Sequence, residues 1–404
     1  MVTVEVKSKK QERKFIDFPK WLYRDDPWWV APLDSEMRSL FNPDYNSAFR
    51  HGEATRWLLL DGSGKTIGRV AAFIDRVRSS AQSQPTGGMG FFEVINDKKA
   101  AFMLFDTAAE WLKSRGMEAM DGPVNFGEND NHWGLLVDGF MHPGFGMPYH
   151  MKYYRQFFED YGFRTYFEQY SYHRDIASVE VFPERFMKIA EWISRRPGYT
   201  FRHFRFRESR KFVNDMVEIY NTTWASYKED FTPLDPAFLE SSLRKGKMFI
   251  DEELIWFAYH NEKPVSFYIL FPDLNQIIRD FRGRLHLWNI IRFFWYKATH
   301  RMTRMRALVA GVIPAYQNSG IESAIFYQLY KVFRKKRYYR ELELSWVGDF
   351  NPKMISMYEA IGAARAKTHI TYRFMINPSL PFMRYRDEMM ARASASARTG
   401  DTNE

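Results

Sequence analysis

Apolar and polar residues alternate over Val2–Val6, as one face of a strand requires, and then yield to a charged, aromatic, helix-like stretch over Phe15–Tyr23. Two apolar runs within Arg56–Asp75 flank Gly62-Ser-Gly-Lys and predict a β-hairpin. Gly88–Asp97 predicts another strand. In Lys98–Gly116 the period changes: Ala101, Leu104, Phe105, Ala108 and Leu112 share one helical face, and Gly116 supplies a stop. Met117–Asn125 returns to a strand, and Met151–Tyr161 to a short helix closed by Gly162. A helical connector follows over Pro183–Arg195.

The same order then begins again. Thr200–Arg205 reads as a strand, and Glu208–Ser226 as a helix carrying Phe212, Met216, Ile219 and Tyr220. Leu254–Phe271 is a second hairpin, turning at Asn261-Glu-Lys-Pro. A strand over Arg304–Val312, a helix over Ile321–Arg337 and a strand over Arg340–Val347 come next. A short helix over Pro352–Ile361 stops at Gly362, and His369–Met375 is a last strand. Each half thus runs strand, helix, hairpin, strand, helix, strand, short helix, strand, although the residues barely match. Such a duplication predicts an α/β protein of two tandem units, each a mixed, mostly antiparallel sheet flanked by helices. The expected division is 1–178, a connector over 179–199, and 200–376. The tail 377–404 ends in small and polar residues and is expected to be disordered.

Composition narrows the chemistry. With 404 residues, 45% hydrophobic and 18% aromatic, two sizeable cores are within reach. The absence of cysteine excludes disulfides, zinc–thiolate sites and cysteine nucleophiles. A net charge of +9 favours anionic partners. The amino end shows no signal-peptide core, and no run approaches the ~18 apolar residues of a membrane span. The expectation is a cytoplasmic protein, soluble or peripheral at the inner face of the cytoplasmic membrane. Dinucleotide, P-loop, hydrolase-elbow and zinc-protease motifs are all missing from the sequence. Ten scattered histidines predict no metal site, and the basic run Arg334–Arg337 closes a helix rather than marking a nucleic-acid surface.

This element order resembles that of the GNAT acyltransferase superfamily, and two motifs carry the resemblance further. The fourth strand of the second half leads into Gln317-Asn-Ser-Gly320-Ile321-Glu322, where the superfamily has Gln/Arg-x-x-Gly-x-Gly/Ala. The short helix carries Asn351, Tyr358 and Gly362. The stretches Gly90–Asn131 and Pro148–Phe163 look like a subfamily of bacterial tandem-GNAT proteins, some relatives of which are proposed as lipid N-acyltransferases or bacterial ceramide synthases. The resemblance implies an acyl thioester donor, acyl-CoA or an acyl-carrier protein, held by Val312, Gln317, Asn318, Ser319, Gly320, Ile321 and Asn351. It also implies Tyr358 as the acid that protonates the leaving thiolate. The acceptor it implies is an amine, small or lipid, with direct attack on the thioester. A glycine-led helix start suits phosphate, because orphan amides and the macrodipole both favour anions. Glu322 departs from the pattern and repels a pyrophosphate. An inactive GNAT-like scaffold that binds lipid or a partner protein is therefore the rival reading. The first half has Ile95-Asn-Asp-Lys-Lys99 at the matching place, without glycine, so the donor is expected only in the second half.

Two further segments stand out. Gly122–Gly134, GPVNFGENDNHWG, leaves a strand end dense in groups that exchange protons. Either its side chains cap their own turn, or the loop lines an acceptor pocket with Glu128, His132 or Asp130 as base. In the second case Asn125, Asn129 and Tyr154 would bind the acceptor. The insertion Arg279–Arg306 places Trp288, Ile291, Phe294 and Trp295 between arginines. That is the composition of an interfacial membrane helix, and equally of a core or dimer helix.

Overall fold

The alternation at the amino end becomes β1 (Val2–Glu5), and the first hairpin β2 (Gly52–Leu60) and β3 (Thr66–Asp75). Then come β4 (Thr86–Val94), β5 (Ala119–Gly122), β6 (Leu135–Asp138) and β7 (Arg164–Asp175). The second half supplies β8 (Tyr199–His203), the hairpin β9 (Ile255–His260) and β10 (Lys263–Pro272), then β11 (Arg304–Val312), β12 (Glu341–Gly348) and β13 (Ala364–Met375). This computed structural model describes residues 1–82, 84–127, 132–178, 181–225 and 233–391.

The strands form one continuous sheet in the order β1-β2-β3-β4-β5-β13-β7-β12-β11-β10-β9-β8, with β6 joined to β13. Pairing is antiparallel except at β4–β5 and β11–β12. The repeated order of the sequence is therefore real, but each half lends its closing strand to the other. β7 pairs with β12 and β13 with β5, while β7 and β13 pair from Ala364↔His173 to Arg373↔Arg164. Two 12-residue strands thus close the junction without an unpaired edge between the halves.

Each half buries one long helix against its strands. Lys98–Lys113 buries Ala101, Leu104, Phe105, Ala108 and Leu112, the face expected from their spacing. Ile321–Lys335 buries Ile321, Ile325, Phe326 and Leu329 against β9, β10 and the connector helix Glu184–Ser194. Helices Asp34–Leu40, Arg76–Ala81 and Pro236–Lys245, and strand β6, have no counterpart in the sequence reading. They are short, with few turns in which a period can show. Among the described residues no helix is long and apolar enough to cross a membrane.

The tail requires a correction. Residues 377–391 pack back on the sheet, with a helical turn over 385–391. Glu388, 5% exposed, accepts from Nη1 of Arg373 at 2.9 Å and from the Tyr166 hydroxyl at 2.8 Å. The polar composition that suggested disorder belongs to 392–404, outside the described residues; 377–391 carries Phe382, Tyr385, Met389 and Met390.

A buried charge network ties the halves together. Lys367 on β13 meets Glu343 on β12 at 2.5 Å, and Arg304 on β11 lies 3.5 Å from the same carboxylate. Arg304 also pairs with Asp273 at 2.6 Å and donates to the His142 carbonyl at 3.2 Å. Asp273 in turn accepts from the Phe145 amide at 2.8 Å. Burial alone would raise the Glu343 pKa, but Lys367 and Arg304 outweigh it and hold the carboxyl below its usual range.

Candidate functional site

β11 and β12 are paired only from Arg304↔Glu341 to Ala307↔Leu344. Beyond those residues the two parallel strands part, and the gap opens into a cavity of about 1780 Å³. The β11 backbone there keeps its partner on the β10 side, through Val312↔Ser266. The wall is shared by the halves. Val312, Gln317, Asn318, Gly320, Asn351 and Tyr358 come from the second, while Thr86, Asp121, Asn125, Phe126 and Gly127 come from the first.

The turn after β11 is shaped for a close approach. Asn318 and Gly320 both lie in the left-handed region, at φ 65° and 78°. Gly320 is the N-cap of the helix Ile321–Lys335 and gives its first turn no side-chain acceptor. A Cβ on Gly320 would stand 2.4 Å from Cδ1 of Ile193 on the connector helix. Gly320→Ala should therefore cost roughly 1–2 kcal/mol from conformation alone, and more from the clash. Thermal unfolding should show a Tm lower by at least about 1–2 °C; an unchanged Tm would mean that the turn relaxes freely. Two residues expected here point elsewhere. Ser319 donates to the Tyr316 carbonyl at 2.6 Å, and Ile321 is fully buried in the core; neither lies on the wall. Asn351 sits on the wall but also caps its own helix, accepting from the Met354 amide at 3.2 Å.

Tyr358 is 5% exposed, with its ring 5.5 Å from that of Tyr172. Burial pushes its phenol up to about 12, opposed by the Tyr268 hydroxyl and reinforced by Tyr172. It keeps its proton throughout the neutral range. Glu322 also faces the cavity. Burial raises its pKa, while its own amide and Lys353 pull the other way. The other carboxylates on the wall are engaged: Asp75 with His51, Asp121 with Arg373 and Asp273 with Arg304.

The matching end in the first half is closed. β4 and β5 pair only over Thr86–Gly88, and the Val124 amide then donates to the Met89 carbonyl at 2.9 Å. The Val94 amide donates to the Tyr154 hydroxyl at 2.8 Å, and its carbonyl accepts from Tyr153 and Tyr154. Asp97 caps the following helix through the Ala100 amide. The Val94 and Val124 backbone groups at this end are thus taken by the protein itself. Tyr154, expected as an acceptor contact, is instead a fully buried core residue that seals this end.

The loop after β5 divides. Asn125 is 8% exposed on the cavity wall, beside Phe126 and Gly127. Glu128, Asn129 and Asp130 lie outside the described residues. His132 is not on the wall: its Nε2 lies 3.7 Å from Glu36 and its ring 5.6 Å from that of Phe91. Tyr385 and Met389, from the tail expected to be disordered, do line the cavity. No motif marks them; their apolar side chains amid polar letters were the available signal.

The insertion folds as the helix Leu287–Ala298. Phe293 and Asn289 are buried, whereas Leu287, Trp288, Ile291, Phe294 and Trp295 are 49–72% exposed. A core role for the whole helix is thereby excluded.

No protein-family model matches the chain. It is 28% identical over 381 residues to a bacterial ceramide synthase of Caulobacter vibrioides, covering 91% of this chain and 96% of that protein. Protein YghO of Escherichia coli is 26% identical over 380 residues, with coverage of 91% and 94%. Among solved structures, a tandem GNAT protein from the clavulanic acid biosynthesis pathway matches 94% of this chain and 99% of its own, with a TM-score of 0.54 and 11% identity. The glucosamine N-acetyltransferase region of a fungal multi-domain β-N-acetylglucosaminidase matches with a TM-score of 0.56 and 12% identity, over 92% of this chain and 38% of that one. With its repeated halves, its parted parallel strands and these likenesses, the chain has the fold of the tandem GNAT proteins.

Proposed function

We propose that the protein is a GNAT-type N-acyltransferase that moves an acyl group from a thioester to an amine, and that the amine is a long-chain lipid. One observation carries the proposal. The parted ends of β11 and β12 open into a single large cavity that bears the Gly320 helix start, Tyr358 and the loop at Asn125–Gly127 together. The ceramide synthase relative supports the lipid acceptor, and so does the predominance of apolar side chains such as Phe212, Trp224, Leu243 and Phe271 on the wall.

In this reading the first-turn amides after Gly320, with Gln317, Asn318 and Asn351, hold the phosphate end of acyl-CoA or of a carrier protein's phosphopantetheine. The β11 backbone near Val312 receives the thioester oxygen. The amine nitrogen bonds to the thioester carbon and the carbon–sulfur bond breaks. Sulfur takes the Tyr358 proton, and the surplus amine proton goes to a base on the 122–134 loop, for which Glu128 is the proposed residue. Release of free thiol together with a mass-detected N-acyl product from a long-chain amine tests the reading; a folded protein that releases no thiol with either donor type contradicts it. An inactive scaffold is the rival, and Glu322 is the feature that favours it.

Glu322 yields a sharper expectation. Once ionised, its carboxylate repels a donor phosphate across a few ångströms, a penalty of roughly 1–2 kcal/mol, or about 5- to 30-fold in affinity. Glu322→Gln should tighten binding of a CoA thioester by that factor. Because burial raises the Glu322 pKa, the gain should grow as pH rises and the wild-type carboxylate loses its proton. A carrier-protein thioester should respond less. Weaker CoA binding in the variant would instead make Glu322 a favourable donor contact.

A further inference from the structure

The helix Leu287–Ala298 has two faces with different jobs. Its inner face carries Ile290 and Phe293, which line the cavity together with Leu285, Met248 and Phe249. Three of these five are also solvent-exposed: Leu285 at 48%, Ile290 at 40% and Met248 at 37%. The cavity therefore has a mouth here. Around it stand Leu287, Trp288, Ile291, Phe294 and Trp295, a contiguous exposed apolar surface of a kind that soluble monomers seldom carry without a use.

Charge surrounds that surface. Arg282 and Arg284 precede the helix and are exposed, Arg301 follows it with its guanidinium 5.5 Å from the Trp295 ring, and Lys297 lies in its last turn. Arg292 is half-exposed and pairs with Asp280 at 3.1 Å. At the same end a second hollow of about 590 Å³ is walled by Arg279, Arg301 and Tyr296, with Trp28 of the first half 45% exposed beside them; Asp280 and Glu341 also border it. Trp and Arg around an apolar face are the groups that settle at the level of lipid headgroups.

We infer that the outer face of Leu287–Ala298 seats the protein on an anionic phospholipid bilayer, and that the mouth beneath the helix admits the long-chain substrate sideways from that bilayer. The lateral entry rests on the proposed acyl-transfer reading; the seating does not. A long-chain amine leaves a membrane slowly through water, since every methylene exposed on the way adds to the cost. An apolar rim continuous with an apolar cavity removes the aqueous step. A second copy of the chain is the competing occupant of this face, but the arginines at both ends of the helix favour a phosphate-bearing surface over a like-charged copy.

The chain contains no cysteine, so single-site labelling is direct. An environment-sensitive fluorophore on Ile291→Cys is compared with one on Glu262→Cys, exposed at the hairpin turn between β9 and β10. Vesicles of phosphatidylglycerol and phosphatidylethanolamine should shift the Ile291 probe to the blue and leave the Glu262 probe unchanged. Pure phosphatidylcholine vesicles should act more weakly. Trp288→Glu with Phe294→Glu should weaken partitioning at least about tenfold, while Tyr358→Phe should partition as the wild type even when turnover is lost. Binding in that variant without turnover separates the seating from the chemistry. Equal shifts at both probes, no shift at either, or a shift that follows protein concentration without vesicles would overturn the inference, the last in favour of a second copy.

Discussion

Tyr358→Phe is expected to lower kcat by about 100-fold or more, the usual share of a general acid, and to leave the fold intact. The side chain sits at the cavity wall, 5% exposed, with its hydroxyl environment made of Tyr172 and Tyr268 rather than of carboxylates. Burial holds its phenol near 12, so the proton is present at every working pH and is offered as negative charge develops on sulfur. Phenylalanine fills the same volume and removes only the donor. Because the loss concerns a group acting in the transition state, KM for the donor should stay within a few-fold. The wild-type rate should also show no fall on the alkaline side attributable to this phenol below about pH 11. Stopped-flow release of thiol from a long-chain acyl thioester measures both. An unchanged kcat in the variant would remove Tyr358 from the mechanism and leave it a core aromatic.

The largest expected stability change follows from Lys367→Met. Lys367 and Glu343 have side chains 3% and 1% exposed, at 2.5 Å, on β13 and β12, which flank β7 from opposite halves of the sheet order. Removing the lysine leaves Glu343 with Arg304 at 3.5 Å, which is itself engaged with Asp273. An undercompensated buried charge of this kind costs about 3–5 kcal/mol. At roughly 1.2 °C per kcal/mol for 404 residues, Tm should fall by about 4–6 °C. Replacing Glu343 with Met as well should recover much of the loss, since an apolar pair needs no partner. The sign with pH follows from the depressed Glu343 pKa. The pair's stabilisation is present above the unfolded carboxylate range and fades as pH falls through the folded value, so the gap between wild type and variant should narrow in acid. A drop below about 1 kcal/mol at neutral pH would show that water reaches the network. The network reaches the cavity through Asp273 and Phe145, which are on its wall with Arg306, and Arg306 donates to Ser345 Oγ at 2.8 Å.

The elements with a strong period were legible from the letters alone. Ala101, Leu104, Phe105, Ala108 and Leu112 announced both their helix and its buried face, and Gly162 its stop. The duplication was legible as well, because element order survives where side chains drift. What could not be read was partnership across the chain. Nothing local to β13 says that Tyr372 pairs opposite Gly122 of the first half, because strand exchange satisfies the same backbone groups as closure within one half. Tyr154 illustrates the parallel limit at a site. Grouped with the 122–134 loop it was expected to contact the acceptor, whereas its hydroxyl serves the Val94 backbone 60 residues earlier in the chain. Tyr385 and Met389 were missed for the opposite reason, apolar letters diluted by a polar tail. Gly320 and Tyr358 came from the resemblance; both line the cavity, and the φ of 78° at Gly320 is a backbone conformation that favours glycine.

The central claim is that the parted ends of β11 and β12 receive a thioester donor. Isothermal titration of the full chain with palmitoyl-CoA and with a palmitoyl carrier protein tests it most directly, with Asn318→Asp as the matched control, in which a carboxylate replaces an isosteric amide on the wall before the helix start. The account predicts saturable one-to-one binding of one or both donors by the wild type and at least about tenfold weaker binding by the variant, for a charge repulsion of ~1.4 kcal/mol or more. Absence of heat with both donors from a folded wild-type protein, or equal binding by the two proteins, would contradict it.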